Sequence, residues 1–186
     1  MAVAALPGSG YVKYGSGREH YQTEPRSLIW AAPGFPITEV LVAERLDVFA
    51  LDAAPSFVQA FRRNLPNTPV VCEAVQDSTF FGRTFGGVLA WGLIFLLSAE
   101  HQRRLIQSIA DILVPGGRLL FTSTAEPLIW NDAMTNLESR SLGAEGYRRQ
   151  LSAIGLSVTS EYEDEGQNHY FDASKTRLPI GTGQQG

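Results

Sequence analysis

Asp47-Val48-Phe49-Ala50-Leu51-Asp52-Ala53-Ala54-Pro55-Ser56-Phe57-Val58 is the stretch on which the fold class turns. Val48 to Leu51 is an unbroken apolar run of strand length. That pattern belongs to a strand buried on both faces of a sheet, where alternation is lost. Asp52 closes the run. Pro55 then opens a helix, because proline is tolerated in the first turn, where its missing N–H costs nothing. Phe57, Val58, Phe61 and Leu65 form the inner face of that helix, and Pro66 stops it. A buried strand leading straight into an amphipathic helix is half of a strand–helix–strand unit, so a parallel sheet is expected.

The flanking sequence repeats the alternation. Upstream, Ser27 to Trp30 reads as a short strand and Pro33-Gly34 as a turn. Pro36 follows near the first turn of a helix carrying Ile37, Val40, Leu41 and Glu44. Downstream, Val70 to Cys72 and Gly87 to Trp91 read as strands. Ser98 is placed to cap a helix and Glu100 suits its positive end. Leu105, Ile106, Ile109, Ile112 and Leu113 make that helix's buried stripe. Pro115-Gly116-Gly117 ends it, and Arg118 to Thr122 is a fifth strand. An irregular stretch follows. Ala144 to Ile154 is a helix with Gly155 as C-cap. Leu156 to Tyr162 and Asn168 to Ala173 form a closing hairpin around the acidic turn Glu163-Asp164-Glu165-Gly166. The expected architecture is α/β, a doubly wound, mostly parallel seven-stranded sheet with helices on both faces and a C-terminal antiparallel hairpin. Residues 1–26 read as a loose arm, 27–174 as the domain and 175–186 as a disordered tail.

Composition narrows the function classes. The chain has 186 residues, 44% of them hydrophobic and 18% charged, with a formal net charge of −4. That is enough for one sizeable core. The arginine pairs Arg62-Arg63, Arg103-Arg104 and Arg148-Arg149 read as solvated helix faces, so nucleic acid is not an expected partner. Cys72 is the single cysteine, which rules out an internal disulfide or a cysteine-based metal site. No histidine pair has metal-ligand spacing, so no metal is expected. The apolar start lacks a basic region, and the run Val88 to Leu97 is too short to span a bilayer. A cytoplasmic protein without membrane contact is the expectation.

Asp52 is the most informative residue. In a doubly wound sheet, ligands bind beyond the carboxyl ends of the strands, where the winding reverses. A carboxylate there, roughly twenty residues after the first strand's turn, can accept both hydroxyls of a ribose. The competing reading is that Asp52 only caps the helix beginning at Pro55.

Val48 to Ser56 resembles the second signature motif of class I S-adenosylmethionine-dependent methyltransferases. Leu113-Val114-Pro115-Gly116-Gly117-Arg118-Leu119-Leu120 resembles the family's element before its fifth strand. Phe85 to Trp91 resembles its fourth strand, and Ser141 to Tyr147 with Gly155-Leu156 its later helix and sixth strand. The resemblance implies methyl transfer from S-adenosyl-L-methionine to a small-molecule acceptor. Asp52 would hold the ribose with Ala53 beside it. Pro33 and Gly34 would form the loop, and Ala74, Val75 and Gln76 would meet the adenine. Trp91 would border the methionine part or the acceptor, or else pack in the core.

The chain also departs from the family. With Gly34 aligned to the last glycine of the first motif, Trp30, Ala31 and Ala32 stand where the glycine-rich turn belongs, and Leu28 where an acid is usual. Glycine serves there because backbone must approach the ligand closely. Gly86 replaces a common aspartate and Ala54 a capping serine. The first-motif departure reads as an alternative start or splice product, or as a lineage that binds the cofactor weakly or not at all. The alternative function is therefore a catalytically inactive methyltransferase-like module that binds or regulates. A nicotinamide-dependent oxidoreductase would need a G-x-G-x-x-G turn that Trp30 to Ile37 lacks.

For the acceptor side, Trp130, Asn131 and Asp132 follow the fifth strand, and Asn168, His169 and Tyr170 begin the last one. Trp130, Asn131, Asn168 and Tyr170 are candidate substrate-binding residues. His169 and Asp132 are candidate catalytic groups for moving or orienting an acceptor proton. The competing readings are a packed or surface histidine and an aspartate that caps a helix.

Overall fold

The computed structural model describes residues 26–30, 35–133 and 136–176, with the backbone alone described at 26–30 and 35–36. Strands β1 (Arg26–Trp30), β2 (Asp47–Asp52), β3 (Val70–Cys72), β4 (Phe85–Ala90) and β5 (Leu113–Ser123) lie in one sheet. Helices α1 (Phe35–Ala43), α2 (Pro55–Asn64) and α3 (Ala99–Ile112) connect them. A two-stranded ribbon follows, β6 (Pro127–Asn131) with β7 (Glu138–Leu142). Then come α4 (Gly143–Ala153), β8 (Leu156–Glu163) and β9 (His169–Lys175). The large sheet has seven strands in the order β3-β2-β1-β4-β5-β9-β8. The first five are parallel, and β9 runs antiparallel to both β5 and β8. β1 therefore has β2 on one side and β4 on the other, and the winding reverses there.

Alternate residues of the central strands feed two apolar layers. Phe49, Leu51, Val88, Ala90, Leu119, Phe121, Phe171 and Ala173 are buried against Leu105, Ile106 and Ile109 of α3 and Tyr147 and Leu151 of α4. Val48 points the other way and joins Ile37 and Leu41 of α1, with Leu89 and Trp91 packed alongside. Helices thus cover both faces, as continuous apolar strands require. Among the described residues, no helix is long and apolar enough to cross a membrane.

The stretch after β5 differs from the irregular segment expected. It forms the β6–β7 ribbon, with Trp130 opposite Ser139 and Leu128 opposite Ser141. The run Leu128-Ile129-Trp130 has the β-branched and aromatic character of a strand, and Asn131-Asp132 that of a turn. Its brevity hid it. Asp132 accordingly lies in a turn and not at a helix N-terminus. Its backbone N–H donates to Leu137 O at 2.9 Å, and its carbonyl accepts from Asn136 N at 2.8 Å. β9 runs on to Lys175, and Thr176 N donates to Gly155 O at 3.0 Å. Arg26 is already part of β1, while residues 1–25 and 177–186 lie outside the described residues.

The Pro115-Gly116-Gly117 element has a steric reason. Gly116 has φ +81°. A Cβ on Gly117 would lie 2.8 Å from Val114 O and 3.2 Å from Gly86 O. Glycine at 117 lets β4 and β5 close together at their start. Gly117→Ala should therefore cost about 1–3 kcal/mol, the scale of overpacking. Urea denaturation would read it as a lower midpoint at unchanged slope, and an unchanged midpoint would contradict the account.

Candidate functional site

The parallel register brings several of the expected residues to one edge. Trp30 lies opposite Leu51 on β2 and Ala90 on β4. Asp52 and Trp91, each one residue further, therefore stand on either side of the end of β1, at the carboxyl edge where the winding reverses. Pro33 and Gly34 of the connecting loop lie outside the described residues, as do Ala31 and Ala32.

The Asp52 carboxylate is half-buried. Its Oδ1 accepts from Ala54 N at 2.7 Å, which fixes the turn into α2. Ala54 is the cap position of that helix and offers no side-chain bond of its own, so Asp52 stands in for it. Burial pushes the Asp52 carboxyl above its ordinary value, and the Ala54 bond only partly offsets this. One oxygen thus serves the helix, and among the described residues nothing else holds the carboxylate.

Ala53 follows on the same edge and is exposed. Ala74 leads into a 3-10 turn, Val75–Asp77. Val75 is buried in the core, so its side chain anchors the turn, while Gln76 is exposed. Trp91 has two environments. It packs on the cluster of Ile37, Leu41 and Val48, and it lies close to the Tyr170 hydroxyl. Gly92, next in the chain at φ +66°, donates its N–H to Thr122 Oγ1 at 2.8 Å and ties the end of β4 to β5.

The β8–β9 turn reaches the same edge, because β9 begins where β5 ends: Ser123 lies opposite His169. The Asp164 carboxylate accepts from Asn168 N at 2.9 Å, from Asn168 Nδ2 and from Tyr170 Oη at 3.0 Å. Tyr170 is buried and stacks on Tyr162 with centroids 4.9 Å apart. Burial, then the bond to Asp164, pushes its hydroxyl well above the usual tyrosine value. Asn168 and Tyr170 thus shape this turn.

His169 points to the opposite sheet face. Its Nε2 lies 3.2 Å from Glu161 Oε2 and its Nδ1 3.4 Å from Glu163 Oε1, with the ring 4.7 Å from that of Phe171. Arg148 of α4 donates to both oxygens of Glu161, at 2.7 and 2.8 Å. His169 therefore sits at the carboxyl edge of the sheet within a charged network.

Other residues escaped the sequence reading. Phe95, in the 3-10 turn Ile94–Leu96 after β4, meets Trp130 of β6 with centroids 5.5 Å apart and planes at 42°. Gln102 of α3 is fully buried. Its Nε2 donates to Leu97 O at 2.9 Å and to Arg140 O of β7 at 2.8 Å, and its Oε1 accepts from Tyr147 Oη at 2.8 Å. Tyr147 Oη also pairs with Ser123 Oγ at 2.9 Å, at the end of β5. A glutamine inside a helix stripe is the only sequence signal for this node. Two open clefts, of about 570 and 500 Å3, include Arg83 and Asp111 in one case and Arg118 and Lys175 in the other. Both lie at the amino edge, away from Asp52.

The comparisons agree with this geometry. Residues 33–117 match a family model described as a methyltransferase domain. The fold is similar to that of an S-adenosylmethionine-dependent methyltransferase from Clostridium acetobutylicum ATCC 824. The TM-score is 0.66 at 10% identity, over 83% of this chain and 85% of that one. It is also similar to CalS10, an amino pentose methyltransferase from Micromonospora echinaspora, solved with bound S-adenosylmethionine. Here the TM-score is 0.62 at 17% identity, over 82% and 84% of the chains. A third is the 1,6-didemethyltoxoflavin-N1-methyltransferase of Burkholderia thailandensis, at 0.66 and 18% identity over 82% and 72%. No match to a curated protein was found.

The charged network around His169 has a pH consequence. Burial alone would raise the Glu161 carboxyl, but the Arg148 bonds and then His169 outweigh it and hold the group below its ordinary value of 4.5. A depressed carboxyl stabilises the fold above its unfolded-state pKa, and that contribution is lost as pH falls through the folded value. Glu161→Gln should therefore flatten the fall in urea midpoint below about pH 4.5. An acid limb as steep as the parent's would show that Glu161 is not its source.

Proposed function

We propose that this chain, which carries a class I, Rossmann-like methyltransferase domain, transfers a methyl group from S-adenosyl-L-methionine to a small-molecule acceptor. The observation that carries this reading is Asp52. It is a half-buried carboxylate at the end of the strand beside β1, with one oxygen committed to Ala54 N and its pKa raised by burial. A group in that state gains from hydroxyl donors, which a ribose supplies.

The residues at the edge fit the cofactor. In this reading Asp52 and Ala53 take the ribose. The turn Ala74, Val75, Gln76 supports the adenine, with Val75 buried as its anchor. Pro33 and Gly34 form the loop toward the methionine part, and Trp91 bounds that part from the β4 side. The cofactor supplies an activated methyl on a sulfonium, and displacement by the acceptor needs mainly alignment. Trp130, Asn168 and Tyr170 then enclose the acceptor, and Asn131, on the ribbon's other face, closes the turn end behind Trp130. Asp132, beside Asn131 in the ribbon turn, orients a donor group or takes its proton. His169 does so from the β9 side when one ring nitrogen releases its carboxylate partner. A cytoplasmic setting completes the reading.

The small molecules named for CalS10 and the toxoflavin enzyme support an acceptor of that size. Calorimetric titration with S-adenosylmethionine and S-adenosylhomocysteine tests the proposal. Both should bind, and Asp52→Ala should lose about 1.5–3 kcal/mol of binding, the scale of a hydrogen bond to a charged group, with circular dichroism unchanged. Failure of both ligands to bind would leave the inactive binding or regulatory module as the better reading. Unaltered affinity in a folded Asp52→Ala variant would remove Asp52 from the site.

A further inference from the structure

We infer that the acceptor is a planar aromatic or heteroaromatic molecule, held against Trp130 on the inner face of the β6–β7 ribbon. The inference rests on the methyl-transfer reading for its reaction, but not for its geometry.

Cross-strand partners in an antiparallel ribbon share a face, and alternate residues face opposite ways. Trp130 pairs with Ser139 and Leu128 with Ser141. Ser139 is fully buried and Ser141 nearly so, so this face turns toward the body of the domain. β7 packs there on the 3-10 turn Ile94–Leu96 and on α3. Leu128 nevertheless stays 49% exposed on that inward face. A large apolar side chain on an inner face does not stay open where packing is complete. A gap therefore lies in front of Leu128, next to Trp130.

The ribbon and the 3-10 turn extend from the carboxyl ends of β5 and β4. The gap thus belongs to the edge where Asp52 and Trp91 stand. Phe95 meets Trp130 at a tilt of 42°, and neither residue is fully buried. Each keeps ring surface for a third partner, and offset or edge contacts are what aromatic rings prefer.

Hydrogen-bonding capacity on this face favours an aromatic over a sugar-like acceptor. Ser141 Oγ donates to Thr124 O at 2.7 Å, and Ser139 Oγ to Leu137 O at 3.5 Å. Gln102 uses its amide on Leu97, Arg140 and Tyr147. The inner-face hydroxyls are committed inside the protein, so a polyol placed there would lose water without replacement. An aromatic ring loses little water and gains the Trp130 face. The gap also holds its shape, because Gln102 fixes β7, and Gly143 fits α4 against Pro127, where a Cβ would stand 2.8 Å from the proline ring.

Saturation-transfer difference NMR with indole tests this, with cyclohexanol as an aliphatic probe of similar size. The wild-type chain should give a strong indole signal, and Trp130→Ala should weaken the apparent affinity at least tenfold. Trp130→Phe should restore most of it, and cyclohexanol should give a signal several-fold weaker than indole. No indole signal, equal signals in wild type and Trp130→Ala, or equal signals from the two probes would each overturn the inference. S-adenosylhomocysteine binding, measured by calorimetry on the same samples, separates the two claims. Indole binding at Trp130 without S-adenosylhomocysteine binding would keep the aromatic site and sink the methyl-transfer reading. The reverse pattern would do the opposite.

Discussion

The buried amide of Gln102 is the contact on which the ribbon end of this fold depends. It joins four pieces that the chain makes separately: the turn before α3 through Leu97, the ribbon through Arg140, α4 through Tyr147, and through Tyr147 the end of β5 at Ser123. A buried primary amide costs free energy unless its donors and acceptor are all used. Both N–H groups and the oxygen of Gln102 have partners, so the node favours one arrangement of the four pieces over its near neighbours. Burial also pushes the Tyr147 hydroxyl above its ordinary value, the Ser123 bond offsetting this only in part, so it stays a neutral donor.

The edge around the end of β1 depends on something simpler. Register alone sets Asp52 and Trp91 on either side of that strand end. The two halves meet through Thr122, whose hydroxyl accepts from Gly92 N next to Trp91, while Tyr170 donates to Asp164 in the β8–β9 turn. The central sheet is apolar and rigid, while its carboxyl edge is sewn together by short polar bonds. That division suits a site where positions matter more than strong chemistry.

Most of the sheet was legible because its strands are buried on both faces. Val48 to Leu51 and Val88 to Ala90 announce themselves as continuous apolar runs, and the proline and glycine positions punctuate them. Asp52 was legible from its place at a strand end, and so was its competing role. The structure gives it both, since Oδ1 bonds Ala54 N while the carboxylate stays at the edge. The β6–β7 ribbon was not legible, because a five-residue strand on the surface carries too little period to stand out. Its register decides which residues face the site: Trp130 turns inward with Ser139, while Asn131 pairs with Glu138 on the other face. No local pattern contains that information. Gln102 escaped for the same reason, since its partners lie up to 45 residues away.

The environment of His169 narrows what proton chemistry the edge can host. Its two ring nitrogens face Glu161 and Glu163, and Glu161 is already held by Arg148. With both ring nitrogens already facing carboxylate oxygens, His169 presents no free nitrogen to an acceptor. An acceptor that needed deprotonation would thus have to draw His169 away from its partners. An aromatic acceptor with an already available lone pair would need no such step. The ribbon face points to the same kind of molecule by a separate route, since its hydroxyls are spent inside the protein and its free surface is Leu128 and Trp130. Under the proposed reading, that face would hold a flat ring between its apolar groups and the methyl donor, a task of alignment more than of proton transfer.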